Sequence, residues 1–316
     1  MKANKKQNIE YDVIIVGGGP AGLSAALILG RCRRKVVLFD SGKYRNQYAT
    51  QINGYLTRDG IAPKEFIKLS RLEIAKYQIE IIEEEIENGR KMDKGFEVTD
   101  RHGNVYLSKK LLLATGLQDS IPKIIGFDEC YGISIFHCPY CDGWEAKDKA
   151  IGIYSRTKAG YDQALNLYNW SKDIILFTDS ADYLDEKMKN MLYAHKIKVF
   201  TQKIERFGNE NGSIKYIELI DGRKINRDSV FFSTGFNQRS ILAEQLGCSY
   251  TKSGIIINDK MQHTNIPGLF VAGDASQDMK LVIVAAAEGA KAAVVIHTEL
   301  VRERIKSMRK IKTLAK

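Results

Sequence analysis

The chain has 316 residues, 44% hydrophobic and 27% charged, a composition that excludes disordered and fibrous classes. Because single cores stop growing near ~250–300 residues, two domains are expected. The formal charge of +10 sits mostly at the ends, with seven Lys/Arg against one Glu in 301–316 and three Lys in 1–8, leaving about +1 for the body. No aromatic residue interleaves the C-terminal basic run, so neither a nucleic-acid nor a membrane partner is expected. No apolar run of ~18 residues occurs, and the opening Met1-Lys2-Ala3-Asn4-Lys5-Lys6 lacks the apolar stretch of a secretory signal. The expected location is the cytoplasm.

Residues 11–16, Tyr-Asp-Val-Ile-Ile-Val, form a short apolar run ending in glycines. With a small-residue helix over 21–29 and a strand over 36–40, they predict one βαβ unit. A polar and aromatic loop region passes through Gly42, Asn53-Gly54 and Asp59-Gly60 before a helix expected over about 63–77. Alternating segments near 79–87, 95–99 and 104–107 predict a small antiparallel sheet, and 109–115 a buried strand that stops at Gly116. The pattern then restarts with strand 151–154, helix 160–169, strand 174–178, helix 184–194 and strand 197–200. The chain returns through the strand Ile266-Pro267-Gly268-Leu269-Phe270-Val271-Ala272, ending in Gly273-Asp274, and an Ala-rich helix from about 281. The expected fold class is α/β with two Rossmann-like domains, the second inserted into the first: residues 1–117 and 249–316 form one, and 118–248 the other.

Gly17-Gly18-Gly19-Pro20-Ala21-Gly22 is a G-x-G-x-x-G that follows a strand and opens a helix, the context a dinucleotide fingerprint demands. Gly17 serves the tight turn, Gly19 the close approach to a pyrophosphate and Gly22 helix–strand packing, with Pro20 and Ala21 at the helix start facing the phosphates. Asp40, eighteen residues after Gly22, is placed to accept from a ribose hydroxyl. Asn53-Gly54 reads equally as a plain turn dipeptide or as a ligand contact, and Arg58 as a surface charge or a ligand.

Five cysteines, an odd and sparse set, argue against a structural disulfide framework and direct attention to the one C-x-x-C, His137-Cys138-Pro139-Tyr140-Cys141-Asp142-Gly143-Trp144-Glu145. Cysteines at this spacing close a small ring in which one thiolate is stabilised by its neighbour. A zinc site lacks its four ligands, because only His137 and Cys130 stand nearby, and no metal is expected. Cys32, beside Arg31, Arg33 and Arg34, and the isolated Cys130 and Cys248 read as structural.

Cys138, Cys141, Asp142 and Gly143, placed just before the first strand of the inserted domain, closely resemble the low-molecular-weight thioredoxin reductase family. The glutathione reductase branch is excluded, since residues 41–60 contain no cysteine. The resemblance implies FAD, with Gly273-Asp274 at its ribityl chain and Thr115-Gly116 matching the Ala-Thr-Gly segment of the superfamily, although that fragment alone reads also as a strand-ending turn. It further implies that Cys141 faces the flavin, Cys138 exchanges with the substrate, Asp142 serves as general acid/base, and the enzyme is a homodimer. A finer resemblance, to bacterial homologues and to the gliotoxin and holomycin dithiol oxidases, rests on Arg45-Asn46, Asn53-Gly54-Tyr55-Leu56 and Arg58-Asp59-Gly60. It places Asn53 among the residues lining the flavin and the substrate face.

The family carries a second glycine fingerprint for NAD(P)H where this chain has Ser155-Arg156-Thr157-Lys158-Ala159-Gly160. Thr157 restricts the turn, side chains at 155 and 157 obstruct a pyrophosphate, and Asp179 repels the extra phosphate of NADPH. The second domain is thereby left to weak NADH binding, another donor, or a scaffold role. Three functions follow: an FAD-dependent reductase of a protein or small-molecule disulfide, a dithiol oxidase that delivers electrons to oxygen, and a flavin-binding redox sensor without turnover.

Overall fold

The structure, a computed structural model, describes residues 11–314; Lys2, Lys5, Lys6 and Lys316 of the basic ends lie outside the described residues. The described residues form two compact units, one of residues 11–45, 64–118 and 237–314, the other of residues 46–63 and 119–236. The crossings fall in the short strands Leu117–Asp119 and Phe236–Gln238, and the loop segment 46–63 belongs with the second unit.

In the first unit, Tyr11–Val16 lies between Val36–Phe39 and Val105–Leu113, parallel to both. Its side chains alternate between two faces. Val13 and Ile15 pack with Ala25, Ala26 and Leu29 of the helix Pro20–Arg31 and with Ala292 and Ile296 of the helix Val282–Leu314, whereas Ile14 and Val16 join Phe96, Leu246 and Val271 on the other side. Burial on both faces accounts for the nearly unbroken apolar run.

The segment 79–87 does not form an antiparallel strand throughout. Glu80–Ile82 extends the parallel part of the sheet, with Ile81 opposite Leu38, and the antiparallel part is made by Ile86–Lys91, Phe96–Asp100 and Val105–Leu113. The helix Pro63–Ala75 stands between Val36–Phe39 and Glu80–Ile82, and such a crossover returns the chain parallel. Leu269–Val271 pairs with Val105–Leu113, so the returning chain completes this sheet.

The second unit holds a five-stranded parallel sheet in the spatial order Lys198–Phe200, Ile174–Phe177, Ile151–Tyr154, Ser229–Phe232, Ile135–Phe136. Its helices Lys158–Leu167 and Glu186–Ala194 fall close to the expected spans. An antiparallel sheet of Ile204–Glu210, Ser213–Leu219 and Lys224–Asn226 was not expected; its inward residues Ile204, Phe207, Ile217 and Leu219 join the core around Phe127.

Candidate functional site

In the first unit the glycine loop is shaped by contacts that forbid side chains at Gly17, Gly18 and Gly22 and leave Gly19 open. Gly17 adopts φ +115°, and a Cβ there would stand 2.1 Å from the Ala114 carbonyl oxygen; at Gly22 it would stand 1.9 Å from the Gly17 oxygen. At Gly19 a Cβ would meet nothing within 4 Å among the described residues. Gly19 caps the helix Pro20–Arg31, which has Pro20 in its first turn, no side-chain cap and no acidic residue there. Free N–H groups, the positive end of the helix dipole and open space over Gly19 fit a dinucleotide pyrophosphate. Ala21 is buried against the C-terminal helix, where a Cβ on Gly289 would lie 1.9 Å from its carbonyl oxygen.

Asp40 is buried beneath this loop. It accepts from Gly42 N (2.9 Å), from Arg71 (2.7 Å) and from the Tyr44 hydroxyl. Burial and the adjacent Asp40 carboxylate hold the Tyr44 phenol well above its ordinary range. A ribose hydroxyl would therefore share a carboxylate that also organises the loop, and nothing in the sequence pointed to Tyr44 or Arg71.

Thr115 and Gly116 follow the strand Val105–Leu113, and the Gly116 carbonyl accepts from Arg239 N at 3.3 Å. The Gly273-Asp274 turn is held by Glu288, a buried carboxylate that accepts from Gly273 N and from the Ser276 hydroxyl, each at 2.7 Å. Asp274 pairs with Arg45 at 2.9 Å. Lys280 donates to the Ser276 carbonyl, and burial pulls its amine below the usual lysine range. Glu288 and Lys280 belong to no motif, so sequence reasoning missed them.

The second unit carries the dithiol turn. Cys138 and Cys141 are joined as a disulfide with Cα atoms 5.3 Å apart, and Cys138 caps the short helix Pro139–Asp142, its sulfur accepting from Cys141 N at 3.1 Å. The turn is braced from the segment 46–63: Asn53 Nδ2 donates to the Cys141 carbonyl at 2.8 Å, and Gln51 Nε2 to Glu145 Oε1 at 3.1 Å. That segment is pinned by reciprocal main-chain bonding between Ile52 and the 60–61 turn, Ile52 N to Ile61 O at 2.7 Å and Gly60 N to Ile52 O at 2.8 Å. Burial, reinforced by Glu145, pushes the Asp142 carboxyl up to about 7, so it carries a proton near neutral pH. Tyr140 and Trp144 flank the turn, each 68% exposed. Burial raises the Cys130 thiol and takes that of Cys248 to about 11, which makes both poor nucleophiles.

The loop at 155–160 is filled by its own side chains. Ser155 is fully buried, its hydroxyl donating to the Ser233 carbonyl at 2.8 Å and accepting from Thr157 N at 3.3 Å. A Cβ on Gly160 would stand 2.5 Å from Ser155 Cβ, so this glycine makes room for the serine. Asp179 accepts from Ile204 N at 3.1 Å and from the Tyr154 hydroxyl at 3.2 Å, with Arg156 at 3.9 Å.

An open dinucleotide loop on one βαβ sheet and a C-x-x-C turn with a proton-bearing carboxyl on another define a flavin-dependent disulfide oxidoreductase. Residues 11–289 match the pyridine nucleotide-disulphide oxidoreductase model, and the chain belongs to that family. Within it the chain is thioredoxin reductase-like. It is 31% identical to thioredoxin reductase tcpT of Claviceps purpurea, covering 92% of this chain and 95% of that protein. The solved structure of HlmI superposes with a TM-score of 0.92 at 32% identity, covering 96% of this chain and 97% of that one. An oxidoreductase from Agrobacterium tumefaciens gives 0.86 at 32% identity, covering 93% and 99%.

Proposed function

We propose that the protein moves electron pairs between FAD and a protein or small-molecule disulfide through Cys138 and Cys141, as a cytoplasmic homodimer. The observation that carries this reading is the redox turn itself, a disulfide beside a carboxyl that bears a proton near neutral pH. Assembly rests on the family resemblance. Among the described residues no helix is long and apolar enough to cross a membrane.

The FAD pyrophosphate is assigned to Gly17, Gly19, Pro20, Ala21 and Gly22, its ribose to Asp40, its ribityl chain to Gly273 and Asp274, and the flavin surround to Thr115 and Gly116. Asn53 serves the site through the Cys141 carbonyl that it holds. When bound, FAD supplies the two-electron carrier. Cys141 is the sulfur on the flavin side, Cys138 exchanges with substrate, and Asp142 protonates the thiolate that leaves when a sulfur–sulfur bond opens.

A second reading, a dithiol oxidase with oxygen as acceptor, is favoured by the self-filled loop at Ser155. A pyrophosphate settling there would have to displace the Ser155–Ser233 hydrogen bond and find room beside Thr157. A charge-assisted hydrogen bond to the phosphates is worth ~1.5–3 kcal/mol, so an obstruction that prevents two of them weakens binding by about two orders of magnitude or more. Anaerobic stopped-flow separates the readings: dithiols should bleach the flavin faster than NADH or NADPH, with NADH ahead of NADPH. Rapid bleaching by micromolar NADPH would restore the ordinary reductase direction.

A further inference from the structure

Glu145 stands three residues after Asp142, in a stretch where main-chain bonds continue the helical pattern: Gly143 N to Pro139 O at 2.8 Å and Ala146 N to Asp142 O at 3.2 Å. Residues three apart in such a turn share a face. One oxygen of Glu145 accepts from Gln51 at 3.1 Å, while the other, Oε2, is buried with no hydrogen-bond partner among the described residues. A buried carboxylate oxygen left without a donor is costly and uncommon. Gln51 fixes where Glu145 lies, and the cost is sustained next to the one carboxyl the chemistry uses.

We propose that Glu145 is a positioning residue of the redox site: its carboxylate, anchored by Gln51 one helical turn from Asp142, keeps Asp142 in the proton-bearing form that the reaction needs. This rests on the reading of Asp142 as the acid–base group. In the exchange step a substrate thiolate attacks one sulfur of the Cys138–Cys141 bond. One sulfur–sulfur bond forms, one breaks, and the expelled thiolate takes the proton of Asp142, which becomes a carboxylate. Were Asp142 already ionised, the leaving sulfur would depart as a bare anion beside two carboxylates.

Two further titratable side chains near the turn have partners of their own. Lys147 lies over the Trp144 ring, 3.8 Å from its centroid, and His137 lies toward Asp119, at 4.0 Å. Glu145 is the charged side chain that bears on Asp142, and it raises the carboxyl's affinity for its proton. The segment 46–63 brings Gln51 and Asn53 to the turn, both uncharged.

The test is an infrared pH titration of the oxidised holoprotein, following the C=O stretch of the protonated carboxyl that Asp142→Asn removes. Its midpoint is expected near 7 in the wild type. In Glu145→Gln it should fall by about one unit, in Gln51→Leu, which releases Glu145, it should also fall, and Glu145→Asp should restore it in part. A midpoint unmoved in both Glu145→Gln and Gln51→Leu overturns the inference. Thiol–disulfide exchange measured on the same proteins keeps the two ideas apart. If Asp142→Asn exchanges at the wild-type rate, the acid–base reading itself fails and the inference with it; if exchange falls but the Glu145 variants leave the midpoint in place, only the role of Glu145 is lost.

Discussion

The side chain of Asn53 donates to the main-chain oxygen of Cys141 at 2.8 Å, which ties the redox turn to a segment nearly ninety residues earlier in the chain. Replacing it with alanine removes one hydrogen bond to a partly buried carbonyl, a loss of about 1 kcal/mol. Asn53→Ala should therefore lower stability by that amount in denaturant titrations and leave FAD content unchanged. Loss of FAD from the purified variant would place Asn53 at the cofactor directly.

Two glycines of one loop should fail in different ways. Gly19→Val puts a side chain where a Cβ meets nothing within 4 Å among the described residues, so the chain should fold with an ordinary melting profile and emerge colourless. Gly17→Ala drives a Cβ to 2.1 Å from the Ala114 oxygen at φ +115°, so it should lose several kcal/mol of stability. Thermal melts and flavin absorbance on the two variants distinguish these outcomes, and a yellow Gly19→Val protein would contradict the pyrophosphate assignment.

Ser155 supplies the complementary gain-of-function experiment. Ser155→Gly/Thr157→Gly removes the buried hydroxyl and the β-branched residue, so NADH affinity should rise on the order of 100-fold, the return of two charge-assisted hydrogen bonds. Titration of nucleotide against the double variant measures it. An unchanged affinity would show that Asp179 or another group, and not the loop, limits binding.

Asp142 makes stability depend on pH in a defined direction. The folded state holds its proton up to about 7, against an ordinary value of 3.8. Between those values the folded state binds more protons than the unfolded chain, so stability is greatest below about 4, declines as pH rises to about 7, and is flat above. The full shift corresponds to at most ~4 kcal/mol, and solvent reaching this half-buried group reduces it. Asp142→Asn should flatten that slope and melt higher than wild type at pH 8. A variant with the wild-type slope would show that another group is responsible.

Much of this was readable in the sequence because it is local. The glycine fingerprint, the C-x-x-C with its following Asp, and the apolar strands each lie within a few consecutive residues, where geometry constrains residue type directly. The altered second fingerprint was legible for the same reason, through Ser155 and Thr157. What escaped depends on pairings distant in sequence. Strand Glu80–Ile82 looked antiparallel because alternation does not report direction, and its partner is fixed by the intervening helix. Likewise the Gln51–Glu145 hydrogen bond, the Arg71 and Tyr44 bonds to Asp40, and the Glu288 bonds at the Gly273 turn join residues of common polar types that carry no periodic or motif signal.

In the proposed reaction electrons pass between the flavin and the Cys138/Cys141 pair, and single-turnover mixing reads that transfer. Oxidised holoprotein is mixed anaerobically with excess dithiothreitol while flavin absorbance is followed in wild type, Cys138→Ser and Cys141→Ser. Rapid bleaching is expected in the wild type, bleaching at least about 100-fold slower in both variants, and a long-wavelength thiolate–flavin band in resting Cys138→Ser that Cys141→Ser lacks. Equal bleaching rates in all three proteins would contradict it, because the flavin would then be reduced without the cysteines.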